Sequence, residues 1–247
     1  KEAVRDYGAR LSSIDGGSLR NAIPREAFAI ITIPGDNVEA LWELVSDYQE
    51  MYRSEYKGIE HNINFTAEMT DMPATLIPEE IQDDLINAIE GCQNGVISML
   101  VDFPGTVESS TNLAIVKSSN EMIEIQILVR SSSESRKEAV CSSLESIFSL
   151  AGAKVEYSDG YGGWQPNIDS PILKIMQQAY LDLYGKKPEA KVMHAGLECG
   201  IIQESYPDMD MISIGPDLQH PHSPDERVSI PSVARTWDFI VTTLARI

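Results

Sequence analysis

The chain has 247 residues, 43% of them hydrophobic and 23% charged, with 19 Lys and Arg against 38 Asp and Glu for a formal charge of −19. That length suits one large domain or two ordinary ones of about 100–200 residues, and no apolar run approaches the ~20 residues of a membrane span. Acidity spread along the whole chain makes a solvated surface and repels phosphate backbones, so neither nucleic acid nor membrane is expected as a partner.

The opening, Lys-Glu-Ala-Val-Arg-Asp-Tyr, has no apolar signal core. It also lacks an initiator Met, so a piece of something longer is expected. Residues 1–7 read as the end of a helix. Alternation over 9–15 predicts a strand entering the Gly16-Gly17 turn. Ala-Phe-Ala-Ile-Ile-Thr-Ile within 26–34 predicts a buried strand. Asp36 and Asn37 can cap a helix whose apolar stripe is Val38, Leu41, Leu44, Val45 and Tyr48. A further strand is expected over 63–69. Pro78-Glu79-Glu80 then opens a helix through Ile81, Leu85, Ile86 and Ile89, closing near Gly91 or Gly95.

Strands over 113–117 and 122–130 flank Ser118-Ser119-Asn120, a hairpin signal, and the second delivers Arg130 to its end. A helix over 134–151 has Val140, Leu144, Ile147, Phe148 and Leu150 as its stripe. A strand over 155–157 precedes the aromatic glycine-rich loop 159–164. From there short elements alternate: helix 171–184, strand 189–193, helix 199–206, strand 209–214 and helix 231–247. The first part therefore predicts an α+β layer, an antiparallel sheet covered by helices, and the second resembles part of a three-layer α/β domain, with the boundary near 158–170. No repeat and no low-complexity segment is present.

Chemistry concentrates in 191–228, which holds three of the four histidines, His194, His220 and His222, with Glu198, Cys199, Asp225 and Glu226. His222 lies between Pro221 and Pro224, on a stiffened loop that suits a metal ligand and equally a plain surface histidine. Gly196 permits close backbone approach to a ligand. Glu198 opens a short helix whose N-terminal amides could bind an anion, or it simply favours the positive helix end at an ordinary turn. Cys199 reads as a buried thiol rather than a nucleophile, since no base partner can be assigned. Three cysteines without a CxxC pair fit a reducing, cytoplasmic compartment. Gly16-Gly17 and Pro24 are explained by turn chemistry, whereas Asn21 between them is explained less well. Arg130 closes an apolar strand, where an unpaired guanidinium is costly. It suits a substrate carboxylate, or a salt bridge within this acidic chain.

Together Gly-Gly-Ser-Leu-Arg-Asn-Ala-Ile-Pro-Arg-Glu-Ala (16–27), Arg130-Ser-Ser, His-Ala-Gly-Leu-Glu-Cys-Gly (194–200) and Pro-His-Ser-Pro-Asp-Glu-Arg-Val (221–228) resemble the aminoacyl-histidine dipeptidases. These belong to the co-catalytic zinc aminopeptidase/carboxypeptidase superfamily. The resemblance runs in order over nearly the whole chain. It implies a lid and dimerisation domain over residues 1–157, lacking its first elements, and the C-terminal portion of a three-layer α/β catalytic domain over 158–247. It implies two zinc ions in the complete enzyme, a dipeptide substrate of the Xaa-His type such as β-alanyl-histidine, and a homodimer through the lid.

By the same resemblance His222 is the last zinc ligand. Asn21 is the catalytic lid residue that holds the oxygen of the scissile carbonyl. Arg130 pairs with the substrate's C-terminal carboxylate, and Gly196 makes a backbone contact with it. No zinc role passes to His194 or His220. The family's other ligands and its general base precede Lys1, so the chain alone is expected to be inactive. The competing expectation is a non-catalytic dimerisation or binding module on the same scaffold.

Overall fold

A computed structural model describes residues 1–101, 104–119, 121–158, 160, 163, 164, 167, 169–193 and 197–247. The fold is mixed α/β, with an antiparallel sheet and helices. By contacts it divides into two compact units. The first comprises Lys1–Cys92, Leu113–Leu128 and Leu144–Val155; the second comprises Gln93–Asn112, Val129–Ser143 and Glu156–Ile247.

In the first unit, helix α1 (Glu2–Tyr7) ends at Gly8, whose left-handed φ of 70° turns the chain into strand β1 (Arg10–Gly16). Strand β2 (Ala27–Thr32) pairs antiparallel with β1 from Arg10↔Thr32 to Gly16↔Ala27, with a bulge that leaves Ser12 without a partner in the register. β2 is not the buried strand expected from its apolar run. Phe28 is 66% exposed and Ile30 40%, because β2 ends the strand order and has β1 as its sole neighbour in the sheet.

Helix α2 (Val38–Glu55) follows a single 3-10 turn, Gly35–Asn37, and it buries or half-buries the expected stripe. Asn37 does not cap it. Its side-chain amide instead donates to the Tyr7 carbonyl at 2.9 Å, tying the end of α1 to the start of α2. Residues 63–69 form no strand. Their backbone is held by side chains of α2: Arg53 Nε donates to the Ile63 carbonyl at 2.8 Å, and Phe65 N–H donates to Gln49 Oε1 at 3.1 Å. The Phe65 ring stacks edge-on against Tyr48 and Tyr52.

Helix α3 (Glu79–Gly91) begins after Pro78, as the Pro-Glu-Glu signal predicts. Its buried stripe starts one residue later than the apolar pattern suggests. Ile81 is half exposed and Gln82 fully buried. The reason is a hydrogen bond: Leu11 N–H donates to Gln82 Oε1 at 2.6 Å. A buried β1 amide therefore depends on one side chain of α3. Replacing Gln82 with methionine keeps the volume and orphans that amide, so the protein should lose about 1–3 kcal/mol of stability. Urea denaturation checks this, and an unchanged midpoint would show the bond to be dispensable.

Strand β4 (Val107–Ser118) is longer than expected and serves two pairings. Val107–Thr111 pair with strand β3 (Gly95–Met99), and Val116 and Lys117 pair with β1. β3 was not evident in the sequence. β5 (Ile123–Ser131) also pairs with β4, as the hairpin signal predicts. Ala114, Ile115 and Val116 are all buried; since neighbouring side chains point to opposite faces, the middle of β4 is covered on both sides. Leu11, Leu41, Leu85, Ala88, Leu144 and Phe148 complete this core, the last two from helix α4 (Glu134–Leu150). Leu150, placed in the α4 stripe by its spacing, is exposed.

The second unit is built on helices α5 (Pro171–Tyr184) and α7 (Ile230–Leu244). The Ser170 hydroxyl caps α5 by accepting from Leu173 N–H at 3.0 Å, and the Asp210 carboxylate accepts from Ile172 N–H at 2.9 Å. Met176 and Ala179 pack on Phe239 of α7, with Ile172, Tyr180 and Ile212 around them. Helix α6 (Glu198–Ser205) is as expected. Residues 155–157, 189–193 and 209–214 were expected to be strands and are not: none forms a ladder with another described segment of the chain. Instead a two-residue hairpin, β6 (Leu218–Gln219) with β7 (Arg227–Val228), stands ahead of α7. α7 also carries a second apolar face. Ile230, Val233, Trp237, Val241 and Leu244 recur at helical spacing and are all exposed.

Candidate active site

Asn21 belongs to the first unit. The Gly17 backbone, at φ 73°, lies so close to β4 that a Cβ there would fall 1.8 Å from the Ala114 carbonyl oxygen. That contact forces glycine and fixes where the following loop leaves the sheet. Gly17 N–H also donates to the Glu26 carbonyl at 3.2 Å, closing the loop at its base, and Ala22 N–H donates to the Leu19 carbonyl at 3.2 Å. Asn21 is exposed on the turn so formed. Its amide can donate to or accept from an incoming group.

Arg130 and His222 belong to the second unit. Arg130 is half-buried at the end of β5. Of the two readings its position allowed, the internal salt bridge is not found: among the described residues the guanidinium has neither ion-pair nor hydrogen-bond partner. The backbone after it is firmly held. Ser131 and Ser109 share a hydroxyl hydrogen bond of 2.8 Å, and Ser132 N–H donates to the Glu108 carbonyl at 3.1 Å. A Cβ on Gly163 would lie 2.8 Å from the Ser131 oxygen, so Gly163 itself packs directly on this turn. Glu108 itself is engaged by Arg136 at 3.0 Å and by the Ser98 hydroxyl at 2.8 Å. A guanidinium offers five donors in a planar fork.

His222 sits at the tip of the β6–β7 hairpin and is exposed. Its backbone is left-handed, φ 63°, as is that of His220, φ 54°. The His222 N–H donates to Glu226 Oε2 at 2.9 Å. Its imidazole has no internal partner among the described residues, which leaves a ring nitrogen available to a metal. The foot of the hairpin is anchored on α7: Asp217 accepts from Arg235 at 3.0 Å, and its N–H donates to the Ser232 hydroxyl at 2.9 Å.

Gly196 and His194 lie outside the described residues. Among the described residues no group of three or more His, Cys, Asp or Glu stands close enough to hold a metal. His222 thus fits a metal as one donor of a set and not as a site by itself. Burial pushes the thiols of Cys92, Cys141 and Cys199 up from their ordinary range, away from the thiolate form. A groove of about 210 Å³ runs beside α2, lined by Trp42, Val45, Gln49 and Phe65, and none of the candidate residues lines it. No described helix is long and apolar enough to cross a membrane.

Comparison with known proteins places these features in context. The profile of "Peptidase family M20/M25/M40" matches residues 16–246. The cytosol non-specific dipeptidase of Escherichia coli (strain K12) is 40% identical over 244 residues, 99% of this chain and 50% of that protein. The crystal structure of aminoacylhistidine dipeptidase from Vibrio alginolyticus superposes with a TM-score of 0.83 at 40% identity, again over 99% of this chain and 50% of the other. Aminopeptidase PepT from Bacillus cereus ATCC 10987 shares the fold at 16% identity, with a TM-score of 0.52 over 66% of this chain. The chain thus spans about half the length of these two dipeptidase relatives.

Proposed function

This chain belongs to peptidase family M20/M25/M40, and from that premise we propose that it forms the lid, residues 1–157, and the C-terminal part of the catalytic domain, residues 158–247, of a zinc-dependent dipeptidase. The substrate class is a dipeptide with a free C-terminal carboxylate, and more narrowly Xaa-His, such as β-alanyl-histidine. The observation that carries the reading is Arg130, a half-buried guanidinium without a partner among the described residues, in a chain 40% identical to dipeptidases over almost its whole length. The names of the two relatives differ in breadth, one non-specific and one aminoacylhistidine. The free carboxylate is the part of the substrate that both have in common.

Each residue then has one task. Arg130 binds the substrate carboxylate through paired charge-assisted hydrogen bonds. Asn21 donates its amide to the scissile carbonyl oxygen, where negative charge develops as the bond is attacked. Gly196 offers backbone to the substrate end. His222 gives one imidazole ligand to a zinc pair, and the remaining ligands and the general base belong to the half of the relatives' length that this chain does not span. When bound, the zinc pair activates water and polarises the carbonyl. The chain of 247 residues alone therefore does not turn over dipeptides.

Two structural features support the division. Segments 189–193 and 209–214 find no ladder partner among the described residues, and the α7 face of Ile230, Val233, Trp237, Val241 and Leu244 is exposed. Both are the expected edges of a catalytic domain whose other strands come from the remaining half. The apolar outer side of β2 supports a homodimer through the lid. A cytoplasmic location accords with three free cysteines. The test is β-alanyl-histidine hydrolysis by the full-length protein before chelation, after chelation and after zinc is restored. Activity should vanish and return. Absence of turnover in all three states would leave a non-catalytic module in its place.

A further inference from the structure

We propose that Glu226 is the positioning residue for His222, fixing the hairpin tip in the backbone conformation that presents the imidazole to metal. The inference rests on the reading of His222 as a ligand. Its basis is the geometry of the loop. His220 and His222 are the only non-glycine residues with positive φ among those described, and they stand two apart on one tight tip. L-residues disfavour this conformation, so two in one loop must be held from outside. A two-residue ladder, Leu218↔Val228 and Gln219↔Arg227, closes the base, reinforced by Arg227 Nε donating to Gln219 Oε1 at 2.7 Å.

Within the tip, Glu226 works at both ends. Its N–H donates to the Ser223 carbonyl at 3.0 Å, and its carboxylate accepts from His222 N–H at 2.9 Å. No other side chain bonds the His222 backbone among the described residues. Asp225 does not share the task; its N–H donates to Ser223 Oγ at 3.1 Å and its carboxylate points to no backbone donor of the tip. The carboxylate of Glu226 is therefore engaged with an amide rather than presented as a second metal ligand. Groups that orient a metal ligand in this way typically affect metal affinity 10–100-fold, about one to two orders of magnitude.

The test uses full-length protein and four forms: unchanged, Glu226→Ala, Glu226→Gln and His222→Ala. Zinc affinity is read by competition with a chromophoric chelator. Hydrogen exchange of the peptide spanning the hairpin is read in the metal-free state, where activity plays no part. Glu226→Ala should weaken zinc binding by about 10–100-fold and speed exchange at the tip. Glu226→Gln, whose Oε1 still accepts from the His222 amide, should recover most of both. Equal losses in Ala and Gln would mean that the carboxylate is itself a ligand and would overturn the positioning role. Unchanged zinc affinity in Glu226→Ala, with loss in His222→Ala, would overturn it too while leaving the proposed function standing. Retention of zinc by His222→Ala would bring down the ligand assignment and this inference together.

Discussion

Replacing His222 with alanine in the full-length protein is expected to lower bound zinc and to reduce β-alanyl-histidine hydrolysis by more than about a hundredfold. The bound follows from the cost of losing an orienting partner, about 10–100-fold in affinity or activity; losing the ligand itself must cost more. The structural grounds are specific. The imidazole stands on a hairpin tip, exposed and without a partner among the described residues, so its removal opens no cavity and breaks no described core contact. Thermal stability of the metal-free protein should therefore be unchanged, which separates ligand loss from unfolding. His220→Ala is the control. It shares the loop and the left-handed backbone, and it should keep both zinc and activity. If His220→Ala and His222→Ala behave alike, the loop matters only as structure and His222 is not the ligand.

Arg130→Ala is expected to lower kcat/KM for dipeptides by roughly two to three orders of magnitude. Removing one member of a buried, hydrogen-bonded charge pair costs about 2–5 kcal/mol, and each 1.4 kcal/mol is about tenfold. Much of this is the penalty on the carboxylate left unpaired in the site. Arg130→Lys should recover only part of the loss, because a lysine cannot reproduce the planar fork that meets both carboxylate oxygens. The decisive comparison is with the C-terminal amide of the same dipeptide. That substrate has no carboxylate to bind, so it should be poor with the unchanged protein and almost indifferent to Arg130→Ala. An equal loss on acid and amide would show that Arg130 supports the turn at Ser131-Ser132 rather than the substrate.

What could be read in advance depended on how far each signal reached along the chain. The helices were legible because a 3.6-residue stripe is a local property: Val38 to Tyr48 on α2 lie inward as their spacing requires. Strands were legible only where a neighbour in the chain completed them, as with β4 and β5. The run 26–34 looked buried because its residues are apolar, yet burial is set by its place at the sheet edge, which composition does not encode. Residues 63–69, expected as a strand, are held instead by Arg53 and Gln49 of α2. Gln82 shows the converse, a polar residue drawn inward by one backbone amide of β1.

The site residues were legible for a different reason. Spacing alone left His222, Asn21 and Arg130 each with an ordinary explanation, and the likeness of whole segments to one family gave them roles. Among the described residues Arg130 forms no salt bridge. Glu226 was visible as a letter in Pro-Asp-Glu, but its bond to the His222 amide exists only once the tip turns left-handed. Gly17 was readable as turn chemistry; that its backbone presses on Ala114 required the sheet.

The central claim, that this chain gives a zinc dipeptidase one of its metal ligands, is tested most directly by anomalous scattering at the zinc edge from crystals of the full-length protein. The account predicts a peak at the ordinary zinc–imidazole distance of ~2 Å from a ring nitrogen of His222. Zinc bound elsewhere in the protein, with no density beside His222, would contradict it.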